Sequence, residues 1–156
     1  MNHSPSTPEA LIRLGKISAA HGWTNEAIAS LTKAVRLNPT DANAHFCLGG
    51  ALEAGGQRTE ALRHFAEAVR LNPYIAPARV CLGVELRYAS RELEAIEEFS
   101  EAVRLDPNLL EAHLNLGLAL DHQRRTAEAQ RQFAEVLRID PNNRTALKHS
   151  AAANGR

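Results

Sequence analysis

The sequence predicts an all-α protein, an α-solenoid of four helix-turn-helix units followed by a short C-terminal capping helix. Three observations point there. The first is recurrence at a constant step of 34 residues, unbroken by insertion or deletion over four copies, the mark of a repeat architecture in which each unit covers its neighbour. Leu14, Leu48, Leu82 and Leu116 are followed directly by Gly15, Gly49, Gly83 and Gly117. Ala27, Ala61, Ala95 and Ala129 are followed four residues later by Leu31, Phe65, Phe99 and Phe133, and three beyond those stand Ala34, Ala68, Ala102 and Val136. The second is spacing inside each unit: Leu11, Leu14, Gly15 and Ser18 fall three and four apart, the period of a helix face. The third is punctuation. Pro39, Pro73, Pro107 and Pro141 close the units, and proline disfavours a helical residue before it.

Residues 1–7, polar and rich in Pro and Ser, read as a loose tail. Pro8 sits where proline is tolerated, in a first helical turn, and Glu9 adds a favourable negative charge there. A helix runs from Glu9 to about Ala20 and is broken by Gly22; the next runs from about Asn25 to Leu37 and ends at Asn38-Pro39. The later pairs are 42–55 with 59–71, turning at Gly55-Gly56; 76–89 with 92–105, where Ser90-Arg91 replace the glycines; and 110–123 with 126–139, joined through Arg124-Arg125. The units are therefore 8–41, 42–75, 76–109 and 110–143, a domain of 8–143. Ala146 extends the ladder of Ala10, Ala44, Ala78 and Ala112, so 144–156 reads as a partial fifth first-helix. It covers the apolar end of the fourth pair and turns Arg144, Lys148 and His149 to solvent.

Glycine inside a helix is worth roughly 1 kcal/mol less than alanine. Its return every 34 residues therefore needs a packing reason, and the bulky ladder of Leu31, Phe65, Phe99 and Phe133 supplies one by filling the space that glycine leaves.

The totals exclude several classes. With 156 residues and 44% apolar content there is enough to bury a core, and 18 basic against 18 acidic residues leave no footprint for nucleic acid or an anionic membrane surface. No run of 18 apolar residues occurs, and the N-terminus lacks the apolar core of a secretory signal. A soluble, cytoplasmic protein is expected. Cys47 and Cys81 occupy equivalent sites, which stacking places about 10 Å apart, too far for a disulfide that wants Cα atoms within about 7 Å. Two free thiols are expected.

The leucine-glycine pair, the alanine and phenylalanine ladders and the closing proline closely resemble the tetratricopeptide repeat family over residues 8–143. Departures are local: Leu11, His45, Arg79 and His113 stand for the early aromatic, and Ser18, Leu52, Leu86 and Leu120 for the later tyrosine. The resemblance implies a right-handed superhelix whose concave groove, lined by first helices, accepts a peptide or helix from a partner. One subclass grips a chaperone's C-terminal carboxylate with lysine, asparagine and arginine on consecutive first helices. Ile12, Lys16, Cys47, Pro77 and Cys81 stand at the matching positions here, one cation where three are wanted, so that clamp is not expected.

With the Leu/Gly/Ala stripe turned inward, the other stripe of each first helix faces the groove. The rows are Ile12, Lys16 and Ala19; Phe46, Gly50 and Glu53; Val80, Val84, Arg87 and Tyr88; and Leu114, Asn115, Leu118, Asp121 and His122. Phe46, Val80, Val84, Leu114 and Leu118 make an apolar middle with charged borders, the appearance of an interaction site. The alternative is that Ile12, Phe46, Val80 and Leu114 pack neighbouring first helices. Phe46 and Tyr88 are the preferred anchors, as aromatics tend to dominate interface energetics.

Catalysis, cofactors and metals find no support. His45 and His113 lie two units apart, roughly 20 Å at about 10 Å per layer, beyond sharing an ion, and read as ordinary packing or surface histidines. No phosphate-cradling loop or nucleophile elbow occurs. Glu94, Glu97, Glu98 and Glu101 read as a solvent face open to a basic partner. The expected function is a non-enzymatic protein-protein interaction scaffold. Two alternatives remain: a homo-oligomeric module joined through the groove or the stack ends, and the recognition part of a larger enzyme such as a glycosyltransferase. The asparagine ladder of that transferase is absent, since Arg13, Cys47 and Cys81 align with Asn115.

Overall fold

Helix α1 (Pro8–Ala20) starts where Thr7 leaves the extended region and its Oγ1 accepts a hydrogen bond from the Ala10 amide at 3.2 Å, with Glu9 in the first turn. The chain then turns through Gly22 at φ +75°, and the Trp23 amide donates to the Ser18 carbonyl at 2.8 Å, which satisfies a carbonyl the helix end would otherwise orphan. The same closure returns at Gly56 (φ +76°), Ser90 (φ +60°) and Arg124 (φ +60°). There the amides of Gln57, Arg91 and Arg125 donate to Leu52, Leu86 and Leu120. Only glycine takes this left-handed conformation freely, so Ser90 and Arg124 hold it at a cost of roughly 1–2 kcal/mol each.

The computed structural model describes residues 7–154; most of the expected N-terminal tail, residues 1–6, and residues 155–156 lie outside the described residues. Among the described residues every regular element is a helix: α2 (Thr24–Leu37), α3 (Ala42–Ala54), α4 (Arg58–Leu71), α5 (Ala76–Tyr88), α6 (Glu92–Leu105), α7 (Leu110–His122), α8 (Thr126–Ile139) and α9 (Arg144–Asn154) follow α1. The predicted ends of the four helix pairs hold to within one residue. The architecture is an all-α helical repeat, and the chain divides into two compact units, residues 1–74 and 75–156. In the first, α1 packs on α2, α3 on α4, α2 on α3, and α1 touches α3. In the second, α5 packs on α6, α6 on α7, α7 on α8, α8 on α9, and α5 touches α7.

The interlock of small and large residues is the core of both units. A Cβ added to Gly49 would lie 2.7 Å from the Phe65 ring, one on Gly83 2.5 Å from Phe99, and one on Gly117 2.8 Å from Phe133. Leu31 fills the same place over Gly15. All three phenylalanines are wholly buried, as are Ala27, Ala61, Ala95 and Ala129 on the second helices.

The inward reading of the leucine stripe fails at one end. Leu48 on α3 and Leu116 on α7 are 2% and 5% exposed, but Leu14 on α1 is 38% exposed. Helices α2 and α6 pack on α3 and α7, whereas no described helix precedes α1. Ile17 and Trp23 stand open beside it, with Trp23 stacked on His21 at 4.9 Å.

Candidate functional site

First helices α5 and α7 touch in the second unit. Val84, Arg87 and Tyr88 of α5, Asn115 and His122 of α7 and Glu92 at the start of α6 line a cleft of about 380 Å³. A second cleft, of about 650 Å³, shares Arg87 and His122 and adds Leu118, Asp121, Arg124, Thr126 and His149. Arg87 Nε lies 3.3 Å from Glu92 Oε1, and His122 Nδ1 lies 3.6 Å from the same oxygen. Asp121 Oδ2 accepts a hydrogen bond from His149 Nδ1 at 2.9 Å, while the His149 ring stacks on Phe133 at 5.0 Å and its carbonyl accepts from Gln130. His149 is thus not turned to solvent as the sequence suggested, because α9 lies against α8 and carries the ring onto that core.

Of the residues the sequence singled out, Val84, Arg87, Tyr88, Asn115, Leu118, Asp121 and His122 line these two clefts. Asn115 Nδ2 donates to the Glu111 carbonyl at 2.8 Å. Leu114 is half-buried and lines neither cleft. In the first unit Lys16 is exposed, Phe46 and Glu53 are half-buried, and the Phe46 ring lies 6.1 Å from Phe65. Two positions need correction: Ile12 and Val80 are 5% and 8% exposed and offer almost no surface to a groove. First helices touch inside each unit, and an apolar side chain gains more from burial than from solvent. Glu92, Arg124, Thr126 and His149 were missed. Counting rows on first helices finds none of them, because they come from α6, a turn, α8 and α9.

In the acidic run Glu94 and Glu97 are exposed to solvent as expected, and Glu98 and Glu101 are half-buried. Glu94 pairs with Arg91, Glu98 with Arg79 and Glu101 with Arg104 at 2.5–2.7 Å. Cys47 and Cys81 carry free thiols; burial, against the pull of Lys16, pushes the Cys47 thiol up from its ordinary value, away from nucleophilic reactivity. Among the described residues no three His, Cys, Asp or Glu side chains are placed to hold a metal ion, and no helix is long and apolar enough to cross a membrane.

His45 and His113 are buried and play one structural part. Each Nε2 donates to the carbonyl of a unit-closing proline, Pro39 at 3.0 Å and Pro107 at 2.9 Å. Each Nδ1 then meets the second helix, at His64 Nδ1 (3.0 Å) or at the side-chain amide of Gln132 (2.8 Å). Burial first, and His45 second, hold His64 below its ordinary value of 6.5, with Glu60 and Glu67 acting the other way. A histidine whose folded value is depressed binds its proton more readily unfolded, so stability is complete above the unfolded value and falls as pH drops below about 6.5. The thermal midpoint should therefore fall more steeply between pH 7 and pH 5 in the wild type than in His64→Gln, which copies the Gln132 arrangement. Parallel midpoint curves would refute the assignment.

The family description "TPR repeat" matches residues 15–56 and 93–123, and "Tetratricopeptide repeat" matches 42–75 and 110–143. No curated protein matches the chain in sequence. Among solved structures the chain is similar to YrrB, described as a TPR protein with an unusual peptide-binding site, at 24% identity and a TM-score of 0.83 over 94% of this chain and 75% of that one. It is similar to MamA at 27% identity and 0.78 over 98% and 84%. It is also similar to pilF of Pseudomonas aeruginosa at 26% identity and 0.82 over 93% and 66%. With its glycine-aromatic interlock recurring in both units, the chain belongs to the tetratricopeptide repeat family.

Proposed function

We propose that this protein is a non-catalytic, cytoplasmic adaptor whose first helices hold a peptide or helix of a partner protein. The observation that carries the reading is the pair of adjoining clefts on α5 and α7, in which half-exposed Val84 and Leu118 and exposed Tyr88 are rimmed by Arg87, Asp121 and His122. Apolar surface framed by charge on rigid helices suits an amphipathic segment. Lys16, Phe46 and Glu53 present the same chemistry in the first unit. The similarity to YrrB, described as a TPR protein with an unusual peptide-binding site, supports this reading. Residues 8–143 form the recognition body in this reading, and 144–156 its cap.

Partners captured by the wild type and identified by mass spectrometry should be lost from the double variant Val84→Glu with Leu118→Glu. Titration calorimetry should then show affinity falling about 10- to 100-fold. Unchanged affinity with intact helicity would exclude the clefts as the site.

The open stripe of Leu14 and Ile17 favours a second reading, self-association through α1. Light scattering showing a monomer at every concentration would remove it.

A further inference from the structure

We propose that the larger cleft of the second unit selects partner segments bearing carboxylate side chains, with Arg124 as the principal contact and His122 beside it. This rests on the reading of that cleft as the partner site. The argument is charge matching. Both carboxylates at the clefts already have partners: Glu92 lies beside Arg87 and His122, and Asp121 is hydrogen-bonded to His149. Neighbouring Arg125 is engaged too, by Glu128. Arg124 lines the cleft, and among the described residues its guanidinium makes no ion pair. A charged group arriving there finds unmatched counter-charge only if it is negative. A guanidinium fork matches a carboxylate through two parallel hydrogen bonds.

The test uses two fluorescent helical peptides with the same leucine stripe, one flanked by glutamates and the other by glutamines at those positions, titrated by anisotropy into the full chain. The wild type is expected to bind the glutamate peptide about ten-fold tighter at low salt, with the advantage shrinking as ionic strength rises. Arg124→Gly should erase that preference while raising the thermal midpoint by about 2–4 °C, a combination that a purely structural arginine would not give. Equal binding of both peptides, or a preference that survives Arg124→Gly, would overturn the inference and leave the cleft reading standing. Failure of both peptides to bind would count against the cleft reading and this inference together.

Discussion

Phe99→Ala is expected to lower stability by roughly 3–5 kcal/mol, the usual range for deleting a fully buried aromatic. The ring is wholly buried and fills the space over Gly83 between α5 and α6. Glycine has no side chain to swing into the void, so the cavity cannot close from that side. A loss this large is a sizeable share of the 5–15 kcal/mol that separates a typical folded domain from its unfolded chain. Urea denaturation followed by helical circular dichroism measures it. A loss below about 1 kcal/mol would mean that the seam collapses freely and that the ring is replaceable.

The second large effect is a reversal of sign between two glycines on equivalent helices. Alanine in a helix interior is favoured over glycine by about 1 kcal/mol, and at Gly50 nothing lies within 4 Å of the added methyl, so Gly50→Ala is expected to stabilise by up to that amount. At Gly83 the same methyl would sit 2.5 Å from Phe99 Cε1. The ring has no exposed side to retreat to, and overpacking of this kind costs roughly 1–3 kcal/mol. Gly83→Ala is therefore expected to destabilise on balance. If both changes stabilise alike, the glycine ladder reflects something other than close approach.

Much of the fold was legible because one physical constraint repeats. Each unit needs a small residue where a large one lands, and the sequence states that need at Gly49 with Phe65 and again at Gly83 with Phe99. The turns were legible for the same reason, even where Ser90 and Arg124 stand in glycine's conformation. The open end was harder to read. Leu14 obeys the same pattern as Leu48, and only the lack of a described helix before α1 decides that one is exposed and the other buried.

The cleft was half legible. Residues on first helices follow a countable stripe, so Val84, Asn115 and Leu118 could be placed. Glu92, Arg124 and His149 approach from other elements, and the pairings of Glu92 with Arg87 and of His149 with Asp121 span 5 and 28 residues, with no periodic signal to reveal them. Ile12 and Val80 show the limit of the stripe itself: periodicity assigns a face, but the contact between neighbouring first helices decides how much of that face stays open.

The central claim is that glycine on one helix and a bulky side chain on its partner are a single packing element, repeated at a constant step. A double-mutant cycle on Gly83→Ala and Phe99→Ala measures that coupling directly. The alanine at 83 that destabilises the wild type should become harmless or favourable once the ring is gone, giving a coupling of about 1–3 kcal/mol. Costs that add to within about 0.5 kcal/mol would show that the two positions act independently and would contradict the claim.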